Sequence, residues 1–399
     1  MAAIRRGDRN PVLAVLAVFV LMALFISPAY AEDYAVAQTY WHGFNNGIDV
    51  YSGVFALNKD FSLNTSSYVK YTVDLINPSF GEGGGGGGDS LAKGKVAAVS
   101  GASSAVTAGG SGSKDTRHDI TAGITHNFDN IMGVEAYYDF SSEKDYTSRT
   151  PTVTLKKDLF DKNTTFTAGY SRNMDSISGQ FIGGTRTRNT NNYFVGVTQV
   201  LSPVTVAQLG YSRNESKGYE SEGIRLVPLN STAASACTAK SAACVDEAFP
   251  SKRSRNAYLF GINHYFKDGP TAVFDRSSFK LTMRYYKDNW DIKSYMAEVE
   301  YYKYLTEQTV LRLDYRFYDQ TKAYFVKNTY TGAEEFKSAS KQLEKFNSHL
   351  AGVKLTHNFR NDDNYPGFRL AAVEGKYEYY TESIKVAAHV LMAGLRFNF

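Results

Sequence analysis

The sequence predicts an all-β fold, a transmembrane antiparallel β-barrel of about sixteen strands. Three observations carry that prediction. Long segments alternate apolar and polar residues over most of the chain, aromatics make up 14% of it with Tyr 29 and Phe 25, and the chain ends in Gly394-Leu-Arg-Phe397-Asn-Phe399. Alternation with period two places one set of side chains on each face of a strand. An apolar face and a charged face are what a barrel in lipid requires, the apolar one outward and the polar one lining the lumen.

The first 31 residues stand apart from this texture. Arg5, Arg6 and Arg9 precede an apolar run from Val12 to Ile26, and Ala29-Tyr30-Ala31 is a small-x-small cleavage signal. That pattern predicts a secretory signal peptide over residues 1–31, with 32–399 forming the barrel. Arg5-Arg6 lacks the flanking residues of a twin-arginine signal, so general secretion is the expected route. No other stretch approaches the roughly 18 apolar residues of a spanning helix.

Composition narrows the remaining choices. Lys+Arg 44 against Asp+Glu 40 leaves a formal charge of +4 on 399 residues, which gives no argument for nucleic acid or for a polybasic membrane patch. Pro 9 beside Gly 33, with abundant Tyr and Phe, suits strands better than helices. The two cysteines, Cys237 and Cys244, share a stretch rich in Ala, Ser and Thr, and in an oxidising compartment they predict a local disulfide closing a surface loop. No His lies between or beside them and Cys-x-x-Cys-His is absent, so neither a metal site nor c-type haem is expected. No cofactor is expected at all.

Along the chain, strands are expected over 35–44, 47–57, 61–75, 117–127, 131–145, 148–158, 164–175, 188–200, 204–215, 253–266, 276–288, 291–304, 309–322, 343–358, 368–381 and 384–399. Val134-Glu-Ala-Tyr-Tyr-Asp-Phe140 is the clearest sample, with Val134, Ala136, Tyr138 and Phe140 on one face. Many of these segments exceed the 5 or 6 residues typical of a soluble strand, as a tilted bilayer crossing of roughly 9 to 11 residues requires. Short links are expected at Asn58-Lys-Asp60, Phe128-Asp-Asn130, Leu201-Ser-Pro203 and Thr306-Glu-Gln308, and long loops near 76–116, 176–187, 216–252 and 323–342. Short periplasmic turns and long extracellular loops are the asymmetry of outer-membrane barrels, and an even strand count puts both termini on the periplasmic side. Counts of 14 or 18 fit the same reading. The Gly83 to Gly88 run has no following Lys-Ser/Thr and reads as part of an outer loop, not a phosphate loop.

At about sixteen strands side chains alone do not fill the interior, so the lumen is where function is expected. If Leu281, Met283, Tyr285, Ala297, Val299, Tyr301, Leu311, Leu313, Tyr315 and Phe317 face lipid, then Lys280, Arg284, Glu298, Glu300, Arg312, Asp314 and Arg316 face inward. The turn near Glu307 would set Glu298 and Glu300 beside Arg312 and Arg316, a cross-strand charge ladder. Glu374, Lys376 and Glu378 add a second mixed-sign stripe, and the mixed signs predict weak ion selectivity. Aromatic belts are expected at Tyr40-Trp41, Tyr137-Tyr138, Tyr285-Tyr286 and Tyr379-Tyr380. None of the seven His sits in a nucleophile motif, and no enzyme is expected. His126, His264 and His357 fall near turn-end strand termini, where imidazole suits an interface.

Two motifs carry resemblances. The ending resembles the C-terminal signal Gly-x-x-aromatic-x-Phe of bacterial outer-membrane barrels, with Gly394, Phe397 and Phe399 in place and Met392 where a polar residue is usual. This implies recognition by the barrel-insertion machinery. Met283-Arg-Tyr-Tyr-Lys-Asp-Asn-Trp290, followed by Leu311-Arg-Leu-Asp-Tyr-Arg-Phe-Tyr-Asp-Gln320-Thr-Lys-Ala-Tyr-Phe325, resembles the hallmark of an uncharacterised bacterial family of predicted outer-membrane barrels. Asp314 and Phe317 depart from that family's Arg and Tyr. The resemblance implies architecture and Gram-negative outer-membrane placement and brings no substrate. Three roles fit: a porin-like pore for small solutes, a sheath around a partner such as a multihaem cytochrome, or a surface-binding or structural barrel. Outer-membrane lipid is an expected partner, and a homo-oligomer or a protein within the lumen is compatible with each role.

Overall fold

In a computed structural model the chain closes into one antiparallel barrel of sixteen strands. The structure describes residues 33–45, 47–78, 115–129, 131–179, 181–221, 223–269, 271–359 and 368–399. The segment 1–31, expected to be a signal peptide, and nearly all of the 76–116 loop, with its glycine run, lie outside the described residues. In chain order the strands are β1 Tyr34–Phe44, β2 Ile48–Ser62, β3 Thr65–Pro78, β4 Asp115–Phe128, β5 Met132–Ser142, β6 Tyr146–Leu159, β7 Thr164–Ile177, β8 Arg186–Ser202 and β9 Thr205–Gly218. They continue as β10 Leu226–Pro228, β11 Cys244–Asp246, β12 Lys252–Phe266, β13 Ser277–Asp288, β14 Lys293–Tyr304, β15 Thr309–Gln320, β16 Phe346–Asn358, β17 Arg369–Glu382 and β18 Val386–Asn398. Short β10 and β11 pair with each other in the long β9–β12 connection, and the other sixteen form the barrel in sequence order with β18 closing on β1.

All sixteen expected strands form. Their register assigns the faces, because residues opposite one another across a ladder share a side. Large apolar residues such as Ile124, Val153, Leu209, Met283, Leu313, Tyr315 and Leu391 stand exposed on the outer wall, where water would penalise them and lipid would not. The polar partners of the alternation turn inward, as with Lys280 beside Glu300 and Glu298 beside Arg316.

Two expectations need correction. The link placed at Asn58-Lys-Asp60 is strand, because β2 runs on to Ser62 with a register shift between Asp60 and Ser62, and the chain reverses at 63–64. The polar residues that resemble a turn are held by Asp33, which pairs with Lys59 in a buried ion pair and accepts the Asp60 N–H at 2.8 Å. The adjacent aromatic pairs do not sit together in belts. Trp41, Tyr138, Tyr285 and Tyr379 lie on the outer face, while their neighbours Tyr40, Tyr137, Tyr286 and Tyr380 fall on the inner face by alternation.

The outer belts are built otherwise. Tyr211, Tyr258, Tyr285 and Tyr295 form a continuous row with ring centroids 5.2, 6.2 and 5.0 Å apart. Near the turn end the side chains of Thr65, Thr205 and Thr309 hydrogen-bond the Nδ1 of His126, His264 and His357 at 2.8, 2.8 and 2.9 Å. Each imidazole also meets the edge of a phenylalanine two residues on, at 4.5, 4.5 and 5.0 Å. An amphipathic ring fixed at both edges suits the boundary between apolar and wet surroundings.

A charge placed on the outer wall tests the face assignment. Leu313→Arg, near the middle of β15, is expected to cost about 2–4 kcal/mol of stability in bilayers. Denaturant unfolding of the reconstituted barrel measures this, and an effect near zero would contradict the assignment.

Candidate functional site

The inner wall carries extensive charge. From β13 to β17 charged side chains join into one network: Lys280 donates to Glu300 at 2.5 Å, Glu300 lies 3.4 Å from Arg312, and Arg312 reaches Asp314 at 3.0 Å and Glu378 at 3.9 Å. Lys376 joins Glu378 at 2.9 Å, and the Tyr302 hydroxyl donates to Glu300 at 3.1 Å. Arg312 is the hub, since its planar fork of donors can serve carboxylates from three strands. Glu298 and Arg316 are opposite in the register without closing to an ion pair among the described residues, and Glu374 pairs with Lys354 at 2.5 Å. Arg284 stands apart, exposed on the inner wall between Leu259 and Met296, its guanidinium 5.7 Å from the Tyr286 ring.

Other inward charges escaped the sequence reading, which followed the alternation only through β13–β15 and β17. Arg117 lies 3.5 Å from Asp74, 3.2 Å from Asp119 and 3.7 Å from Glu143. Arg188 meets Asp175 at 2.8 Å, and Arg253 meets Asp288 at 2.6 Å. The same period-two rule applied to Asp115-x-Arg117-x-Asp119 would have found the first group. Around the wall the signs are segregated. β3 to β7 present Asp74, Asp115, Asp119, Glu135, Asp139 and Asp175 against Lys70, Arg117 and Lys156, whereas β8, β12 and β13 present Arg186, Arg188, Arg253, Arg255, Lys280 and Arg284 against Asp288.

A cap is rooted on this wall. The connections after β9 and β15 and the β13–β14 turn share a core of Trp290, Ile292, Ala323, Phe325, Val326 and Leu343, with Phe249, Tyr286 and Phe336 packed against it. Trp290 is 1% exposed, and the Arg253 guanidinium lies 4.1 Å from its ring. Asp288 fixes the turn by accepting the N–H groups of Trp290 at 3.0 Å and Ile292 at 2.9 Å. Gln320 donates to the carbonyls of Gln342 and Glu344, each at 2.7 Å. Because Arg253, Tyr286 and Gln320 are inward-facing, the cap overhangs the mouth from the β12–β15 side. Cys237 and Cys244 are joined by a disulfide within it, their Cα atoms 5.4 Å apart.

The C-terminal signal residues close the barrel. Gly394 lies opposite Gln38 and Phe397 opposite Ala35, while the Phe399 N–H donates to the Asp33 carbonyl at 3.1 Å and its ring stacks on Phe368 at 4.6 Å.

Residues 26–181 and 179–395 match a family described as "Protein of unknown function (DUF3570)". The chain belongs to this family. The motif behind the resemblance is thereby placed: its Trp290, Ala323 and Phe325 are the core of the cap. No curated protein matches. Among solved structures the chain is similar to Pseudomonas aeruginosa OpdK with vanillate, at 6% identity and TM-score 0.43, covering 92% of this chain and 98% of that one. It is also similar to P. aeruginosa OccD3 (OpdP), at 9% and 0.45 over 92% and 91%, and to a bacterial polysaccharide outer-membrane secretin, at 7% and 0.47 over 94% and 100%. Likenesses this distant bring no solute or role to the present chain.

Two measurements probe the cap. Trp290→Ala is expected to destabilise it by about 3–5 kcal/mol, seen as faster amide exchange across 321–345 with the strands unchanged; uniform protection would contradict the shared core. In the β15–β16 connection Glu334 is held down from its ordinary 4.5 to about 2, first by its own backbone N–H and then by donors from Thr331, Lys327 and Gly332. A carboxyl lowered in this way supports the folded loop fully above pH 4.5 and ceases to do so as pH falls through about 2. An NMR titration of Glu334 should show its midpoint near 2 and not near 4.5.

Proposed function

We propose that this protein is a porin-like pore of a Gram-negative outer membrane, passing small solutes passively or with weak selectivity. The observation that supports the reading is a closed sixteen-strand barrel whose outer wall is apolar and whose inner wall is charged. A barrel of that width is not filled by its own side chains, and ion-paired walls of both signs hold water without binding one ion tightly. In this reading residues 1–31 direct export through general secretion and are removed, the barrel-insertion machinery reads Gly394, Phe397 and Phe399, and the turn end faces the periplasm. The cap narrows the outer mouth on one side.

Purified protein in planar bilayers should give discrete conductance steps. A silent barrel overturns the pore, and haem absorbance co-purifying from the native host would move the reading to a sheath around a cytochrome. Arg312→Gln leaves Glu300, Asp314 and Glu378 without their shared cation, so its reversal potential in a salt gradient should shift toward cation preference. An unshifted potential would place that network off the conduction path.

A further inference from the structure

The outer wall near the long-loop end carries a basic patch whose lysines have no carboxylate partner among the described residues. One row beyond the stacked tyrosines, Arg213, Asn256, Lys287 and Lys293 face outward side by side on β9, β12, β13 and β14. In the next row but one, Arg149, Met174, Asn189, Lys217 and Lys252 run across β6 to β12, and Arg172 on β7 lies between the rows. Lys217 is directly opposite Lys252, and Lys287 directly opposite Lys293. Like charges in such positions repel and destabilise a ladder. Among the described residues none of these four lysines has a carboxylate within ion-pair distance, and Glu215 is engaged by Arg213 at 2.6 Å.

Two depressions mark the same arc. Arg172, Asn189, Asn191, Arg213, Lys217 and Lys252 belong to the lining of a polar one of about 760 Å³. Nearer the middle of the strands lies an apolar one of about 750 Å³, with Leu155, Phe166, Ala168, Val195, Leu209 and Tyr258 in its lining. A basic hollow at headgroup depth above an apolar hollow at acyl-chain depth has the profile of a phosphorylated lipid.

We infer that the outer face of β6 to β14 is a binding site for a phosphate-bearing lipid, its headgroup on the paired lysines and its acyl chains along the groove below. The occupant is a lipid and not free phosphate because the patch lies on the lipid-facing wall, continuous with an apolar groove. The inference stands whether or not the lumen conducts.

The test is retention of bisphosphorylated lipid A by the full chain in phosphatidylcholine nanodiscs, measured by native mass spectrometry. Dephosphorylated lipid A and inorganic phosphate serve as separate arms. Wild-type protein should retain the phosphorylated glycolipid preferentially, and the K217Q/K252Q/K287Q/K293Q variant should lose about fivefold in affinity per lysine removed. In phosphatidylcholine alone the variant should be at least as stable as wild type, since its like-charge pairs are gone; a merely structural role predicts the reverse. Should that variant fail to insert, K252Q/K287Q keeps one lysine of each pair and is expected to show the intermediate loss. Equal retention of the dephosphorylated lipid, unchanged retention by the variants, or ready displacement by inorganic phosphate would each overturn the inference.

Discussion

Closure of the β1–β18 seam is the constraint on which the rest depends. In hydrocarbon no water is available to an unpaired backbone, so an open edge would leave a strand of N–H and C=O groups unsatisfied at several kcal/mol each. Tyr34 to Phe44 pairs with Asn398 to Ala388 along its whole length, which forces the two ends of the chain together. The terminal contacts are correspondingly specific. The Asp33 carbonyl accepts the Phe399 N–H while the Asp33 carboxylate holds Lys59 and the Asp60 amide, so β1, β2 and the last residue are tied at one point. Gly394 faces Gln38 across the seam, where an added Cβ would meet the glutamine Cγ at 3.2 Å, tighter than ordinary packing. The Gly-x-x-aromatic-x-Phe pattern of the chain's end thus lies on the strand whose pairing completes the barrel.

Most of this architecture was legible because alternation is local. A residue's face follows from its parity, so Val134, Ala136, Tyr138 and Phe140 could be assigned outward without knowing any neighbour. What failed was whatever depended on a distant partner. Lys59 and Asp60 look like turn residues until Asp33 is brought beside them, and adjacent tyrosines look like a belt until the pleat separates them. The charge ladder was readable for the same reason as the strands, yet its hub was not. Arg312 gains Glu378 from β17, a contact that no spacing within β15 reveals. The cap was invisible for a further reason: loops carry no periodicity, and Glu247 meets Ser338 and Ala339 only after both connections fold.

The family motif is built into the cap. Asp288, Trp290, Gln320, Ala323 and Phe325 converge on one another, at the mouth. Trp290 is buried against Phe249 and Phe325 at 5.6 and 5.2 Å and covered on its face by Arg253, whose guanidinium also donates to Asp288 and to the Tyr286 hydroxyl. That guanidinium belongs simultaneously to the lumen wall and to the cap. Moving the cap would therefore disturb an inward-facing cation, and a change in the lumen at Arg253 would be felt by the cap's central side chain.

The distribution of charge gives the lumen a direction. Following the strand order around the barrel, the basic arc of β8, β9, β12 and β13 is flanked by the acidic arc of β3 to β7 and by the mixed network of β14 to β17, and it lies across from the seam strands β18, β1 and β2. The seam's inward side is largely apolar, with Val50, Val386, Ala388, Val390 and Met392 buried there. Val50, Val386 and Ala388 pack with Phe44, Leu350 and Tyr380, and most cations of the basic arc are held by carboxylates, Arg188 by Asp175, Arg253 by Asp288 and Lys280 by Glu300. Arg284 stands apart from these pairs. Unlike Arg312, it has no carboxylate within ion-pair distance among the described residues, and Leu259 and Met296 flank it on the neighbouring strands.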